Sequence, residues 1–374
     1  MTVTRSKMHL RLITISLLLA SLIALPKTAL GYSGTPDSTK FGYGARLDPY
    51  GAEVGLALKA ADSVGMDWIG LDLDWARVWP TRDTDPQLEA LDFVMRKANR
   101  YELGTLISIT NPPRWAITAK GPDLTATTQL VLLLAERYRQ NYLSIELFPG
   151  ANTVQGWGAE PDPIAYKTLL KSSWKALQSI GSPALLIAGG LTPTSAKKSA
   201  GDMDDLVFLS RLYRAGAEGF MPVVSLRLPA IPADVLADPQ SGSAVVLRHY
   251  EAIRKIMTKY SHSSGLIWVT GYTCPVRELR SDRAQTEWIN QSYQLMRSQL
   301  YIGAAFLDGL NPPGKKSDSD HLYLIQTDGA QTSLHPALTA IGQLITLDRT
   351  GQTIPNPPSG PISFSGTKQW TMNP

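Results

Sequence analysis

Between residues 41 and 348 the chain repeats one unit eight times: a short run of buried-strand type, then a segment of helical period. The strand-like runs open with Phe41-Gly-Tyr-Gly-Ala and recur from Trp68, Thr105, Leu143, Ala184, Phe220, Gly265 and Gly303. The helical segments cover residues 52–64, 86–101, 127–138, 163–180, 204–217, 243–260, 281–299 and 337–347. Within 86–101, Leu88, Leu91, Val94, Met95 and Ala98 fall on one stripe, as a helix lying on a core requires. Such alternation specifies an α/β chain closed into a single-domain (β/α)8 TIM barrel. A doubly wound sheet is the alternative, but it more often has five to seven strands and a Gly-rich first turn. Neither GxGxxG nor GxxxxGK[ST] occurs, so no nucleotide cofactor is indicated.

The ends of the chain differ from this middle. Arg5, Lys7, His9 and Arg11 precede an apolar run from Leu12 to Leu25, and Ala29-Leu-Gly31 fits a small-x-small cleavage site. The apolar run falls short of the roughly 18 to 20 residues that usually span a bilayer. Residues 1–31 therefore read as a signal peptide, with an uncleaved anchor as the alternative. The barrel is assigned to 32–348, and 349–374 is a Pro/Gly/Ser-rich tail of linker composition. The expectation is a secreted protein with no membrane partner after cleavage.

Composition narrows the chemistry. The net charge is +4, from 36 Lys+Arg and 32 Asp+Glu. The basic residues are spread along the chain without interleaved aromatics, so nucleic acid is not expected as a partner. The mild excess suits solubility or a weak affinity for anionic surfaces. Cys274 is the single cysteine, which excludes an intrachain disulfide and Cys-based metal sites. The five histidines show no paired spacing, and no metal site is expected.

Several segments, in this order, resemble the clan of retaining (β/α)8-barrel glycoside hydrolases that includes cellulases, β-xylosidases and β-galactosidases. They are Leu88-Glu-Ala-Leu-Asp92 with Leu106-Ile-Ser-Ile109, Asn111-Pro-Pro-Arg-Trp-Ala116, Glu136-Arg-Tyr138, Pro161-Asp-Pro163 with Tyr166, Ala188-Gly-Gly-Leu-Thr-Pro193, and Asp204-Asp-Leu-Val-Phe-Leu209 with Tyr213. Retaining hydrolysis uses two carboxyl groups about 5 to 5.5 Å apart. The resemblance places the acid/base in an Asn-Glu-Pro motif ending strand four and the nucleophile in Trp-Val-Thr-Glu ending strand seven. Here those positions read Pro149-Gly150-Ala151 and Trp268-Val-Thr-Gly271. Glycine can neither attack nor carry a proton. Other positions of the clan's site also depart, at Arg46, Trp79-Pro80, Arg227-Leu-Pro229 and Asp308.

Asp72, Asp74, Glu160 and Asp308 are the displaced carboxylates near the functional ends, and Glu160 and Asp74 are the candidate substitutes. Glu160 follows a loop and also reads as a solvated acid before a helix. Asp72 and Asp74 share one face of their strand, where a structural ion pair with Arg46 or Arg77 is the plainer expectation. Trp75, Trp79, Trp115 and Trp157 fall at or beyond strand ends and are candidates for stacking on sugar rings, with Asn152 and Tyr272 as polar contacts. Packing in the barrel mouth is the alternative for each tryptophan. The expected function is a catalytically inactive glycoside-hydrolase-like barrel binding a glycan or a protein. An active hydrolase with displaced carboxylates and a structural module without ligand are the alternatives.

Overall fold

The computed structural model describes residues 40–194, 201–228, 231–239, 245–313, 321–328 and 331–352. The chain divides into two units, Met1–Gly31 and Tyr32–Pro374, and all described residues belong to the second. The expected signal peptide and residues 353–374 of the expected tail lie outside the described residues.

Eight parallel strands close into a barrel. They are β1 (Gly42–Arg46), β2 (Trp68–Asp74), β3 (Gly104–Thr110), β4 (Leu143–Leu147), β5 (Leu185–Leu191), β6 (Val223–Leu228), β7 (Leu266–Tyr272) and β8 (Ile302–Leu307). Each pairs with its sequence neighbours, and β8 pairs back onto β1. The helices α1 (Val54–Ser63), α2 (Glu89–Arg100), α3 (Leu124–Arg137), α4 (Pro163–Ser179), α5 (Asp205–Arg214), α6 (Tyr250–Lys259), α7 (Asp282–Arg297) and α8 (Pro336–Arg349) follow the strands in turn. The α/β single-domain barrel expected from the alternation is the observed fold.

Local chemistry sets the helix starts. Asp123, Asp162, Asp204 and Ser281 each accept a backbone N–H of the first turn, at α3, α4, α5 and α7. Pro163 and Pro336 open α4 and α8, where a missing N–H costs nothing. Two short hairpins were not foreseen: Ile117–Thr118 with Gly121–Pro122, and Ile325–Asp328 with Gln331–Leu334. Both sit in connections that leave the carboxyl ends of strands.

The barrel interior changes character from bottom to top. Its floor is an apolar cluster containing Leu106, Ile187, Val223, Trp268 and Phe306, with Trp68 packed against it. One step higher, inward positions carry Ser108, Glu146 and Thr270, all buried. At the carboxyl mouth they carry Arg46, Asp72, Arg227 and Asp308. Active sites of this fold lie at that end.

Candidate functional site at the barrel mouth

Glu146, on β4, is wholly buried. Ser108 Oγ on β3 donates to its Oε2 at 2.6 Å, and Thr270 Oγ1 on β7 donates to its Oε1 at 2.7 Å. Arg227 Nη2, on β6, lies 3.2 Å from Oε2 and 2.9 Å from Asp72 Oδ1. The Glu146 and Asp72 oxygens are therefore no farther apart than those two contacts laid end to end. Arg46 Nη2 donates to the same Asp72 oxygen at 2.7 Å, and Arg46 Nη1 donates to the Thr270 carbonyl at 2.8 Å. Arg46 Nε lies 3.5 Å from Asp308 Oδ1, while Thr273 Oγ1 donates to Asp308 Oδ2 at 3.0 Å. Three carboxyl groups and two guanidiniums thus form one network contributed by β1, β2, β4, β6 and the end of β8.

The network pulls its acids apart. Burial opposes ionisation of Asp72, but Arg227 and Arg46 outweigh it and hold the carboxyl at about 2. Burial also opposes ionisation of Glu146, and the same guanidiniums with Ser108 and Thr270 bring it below the usual carboxylate range. At Asp308 burial wins over Arg46 and Arg227, and the carboxyl is pushed up. Asp72 and Asp308 keep 47% and 26% of their side chains exposed, so both face the opening, whereas Glu146 does not.

Gly271 stands inside this network. A Cβ there would lie 3.2 Å from Asp308 Oδ1 and 3.4 Å from Arg46 Cδ. Gly150 occupies the turn after β4 with φ +76, a left-handed conformation that suits glycine.

The other sequence candidates separate into rim and core. Trp79 and Trp115 are half-buried and meet edge to face, with ring centres 5.2 Å apart. Trp115 Nε1 donates to the Trp79 carbonyl, and Trp79 Nε1 is buried without a partner. Trp75 and Trp157, by contrast, are removed from any sugar-facing surface. Trp75 is wedged between Trp115 and Phe148, and Trp157 between Phe148 and Tyr166. Their apolar area is more stable in this wedge than at an open rim. Asn152 is buried as a loop brace, donating to the Thr192 and Met203 carbonyls and accepting from Thr192 N.

Tyr272 is also corrected. Strict alternation after Trp268 and Thr270 places it inside the mouth. A register shift between the β6 pairs of Val269 and Gly271 breaks the parity. Gly271 then meets the network, and Tyr272 turns outward against Trp288 and Tyr293 of α7.

Of the substitute acids, Asp74 accepts from Arg77 N and Asn111 Nδ2, which makes it a cap for the turn Trp75–Val78. Glu160 is exposed and lines a cavity of about 540 Å³ with Lys120, Asp162, Met203 and Arg211, apart from the mouth network. Arg77 lies over the Tyr50 ring instead of pairing with Asp72. The residues that sequence reasoning missed as one unit are Ser108, Glu146, Thr270 and Thr273. Their inward parity along β3, β4 and β7 was a usable signal for the first three. Among the described residues no group of three or more His, Cys, Asp or Glu side chains could hold a metal ion.

A family 39 glycoside hydrolase from the gut symbiont Bacteroides cellulosilyticus is similar with a TM-score of 0.61 and 18% identity, over 83% of this chain and 65% of that one. The chain thus spans just under two thirds of that protein. A family 1 β-glucosidase from Thermotoga maritima is similar with a TM-score of 0.57 and 11% identity, over 84% and 98% of the two chains. The fold is that of (β/α)8 glycoside hydrolases. GH5_18 from Streptomyces cattleya, solved in complex with GlcNAc, has a TM-score of 0.61 and 12% identity, over 85% and 82%. No family model matches the sequence, and no curated protein matches it significantly.

Proposed function

We propose that this glycoside-hydrolase-type barrel does not cleave glycosides by the clan's two-glutamate mechanism and instead binds carbohydrate at its mouth. One observation carries the first half. Arg46 and Asp308 fill the space beside Gly271, where the resemblance expects a nucleophile, and Gly150 supplies no acid. Covalent catalysis and proton transfer, the latter typically worth about 10²- to 10⁴-fold, are both missing at those positions. The half-buried Trp79–Trp115 pair and the open edges of Asp72 and Arg227 support binding of a polyol with an apolar face. The solved relative that carries GlcNAc agrees with a sugar as ligand. Export through residues 1–31 belongs to the same proposal.

A second reading has its own support. Asp72 and Asp308 both face the mouth against one guanidinium, and their environments drive their ionisation in opposite directions. That divergence is the mark of an acid–base pair. One experiment separates the two. Purified protein is incubated with a broad panel of aryl glycosides and, in parallel, titrated with the corresponding free saccharides. Saccharide binding without aglycone release is the expected result. Release that disappears in Asp308→Asn establishes the second reading in place of the first.

A further inference from the structure

The end of the barrel opposite the mouth has a composition of its own. Each helix runs from the mouth towards this amino-terminal end. In the last turns lysine and arginine outnumber aspartate and glutamate: Lys97 and Arg100 close α2, Arg214 closes α5 and Lys259 closes α6. In the first turns the balance is reversed, with Glu89, Asp92, Asp205, Glu251 and Asp282. Lys40, at the start of β1, and Arg139, in the connection into β4, add exposed cations to the amino-terminal face. Among the described residues the acids there are Asp62, Asp67, Glu102, Glu136, Glu218 and Asp348. Asp67 pairs with Arg349 and Asp348 with Arg297, and Glu102 is partnered as well.

Apolar groups stand among these cations. Leu300 is 65% exposed, Tyr142 50% and Ile180 39%, and all three lie in connections that enter strands from this side. A hollow of about 770 Å³ opens here between Lys40, Phe41, Arg297, Leu300 and Arg349.

We propose that this amino-terminal face is a docking surface for an anionic lipid bilayer, with the mouth turned away from it. Cations complement the phosphates, and Leu300, Tyr142 and Ile180 enter the headgroup layer, where amphipathic and apolar side chains are favoured. The apolar projections favour a bilayer over a soluble polyanion, which would leave them in water. Among the described residues no helix is long and apolar enough to cross a membrane, so the barrel's own contact is peripheral. This departs from the sequence expectation of no membrane partner. Basic residues at helix carboxyl termini also complement the helix dipoles, so binding and stability need separate measurement.

The test uses the full chain, whose amino-terminal segment is common to every variant. Sedimentation is measured with vesicles of phosphatidylcholine alone and of equal parts phosphatidylcholine and phosphatidylglycerol. Combining Arg100→Glu, Arg139→Glu and Lys259→Glu is expected to lower partition onto the anionic vesicles by at least about tenfold, since each basic residue near the surface contributes about fivefold. Reversing Arg114, Arg280 and Arg283 at the mouth end leaves partition unchanged. Equal effects of the two triple variants, or none from either, overturn the proposal. So does tighter binding to soluble polyphosphate than to the vesicles. A second measurement does not depend on the triple variant folding. Cys274 is buried, so a polarity-sensitive dye on Leu300→Cys or Ile164→Cys reports one place. A blue shift on vesicle binding is expected at 300 only. A shift at 164 alone, or at neither, overturns the orientation.

Discussion

Glu146 is the residue on which the mouth network depends most. It has no solvent, and its charge is balanced by Arg227, Arg46 and two hydroxyl donors. Deleting one member of a buried ion pair leaves the others uncompensated, at a cost of about 3–5 kcal/mol. Glu146→Ala is expected to lose about that much in urea unfolding at neutral pH, and Glu146→Gln, which can still accept from Ser108 and Thr270, to lose less. Acid titration separates the carboxyls by sign. Asp72 is lowered by folding, so its contribution is complete above its unfolded value, about 3.9, and is lost as pH falls towards about 2. Asp308 is raised by folding, so its ionised form opposes the folded state as pH rises through its folded value. Asp72→Asn should flatten the acid limb of the stability curve, and Asp308→Asn should steepen the rise of stability with pH. Opposite signs in the two curves would contradict the assigned directions. Introducing Gly150→Glu and Gly271→Glu together is expected to give no measurable aryl-glycoside release. The first substitution places a side chain at positive φ, and the second sets a new carboxylate against Asp308.

Whole elements were more legible in the sequence than single side-chain directions. The run at Trp68 is β2, and the segments 163–180 and 281–299 are α4 and α7 shortened by a residue or two at their ends. Apolar periodicity and caps are local signals and survive folding. Parity fails where a strand bulges: nothing around Tyr272 announces the register shift that turns it outward. Trp157 shows the same limit for loops. Its indole Nε1 donates to the Lys120 carbonyl and its ring covers Gly121, so it pins a hairpin from a distant part of the chain. Only the glycine's small size hints at that contact. Gly121 has φ +106, and a methyl group there would run into the Trp157 ring. Gly121→Ala is therefore expected to destabilise by more than about 1–3 kcal/mol, from strain and overpacking together. Amide exchange should show the loss first at 117–122 and around Trp157.

Closing a barrel joins the first strand to the last, and here the closure is tied by side chains as well as by the ladder. Asp348 near the end of α8 accepts from the Tyr43 hydroxyl on β1 and pairs with Arg297 at the end of α7. Arg349 reaches the Gly65 carbonyl at 2.6 Å and Asp67 at 2.7 Å, both in the connection into β2. These ties bind the last helix to the opening βαβ unit across nearly the whole length of the barrel sequence. Removing Asp348 leaves the Tyr43 hydroxyl without its acceptor and Arg297 without its counter-charge, a loss of about 1–3 kcal/mol. Asp348→Ala is thus expected to lower stability by that amount while leaving the mouth network, at the opposite end, intact. Amides of β1, α7 and α8 should lose protection before those of β3 to β6. Uniform loss around the barrel would mean that the main-chain ladder alone holds the seam, because a side-chain tie can weaken only the elements it joins.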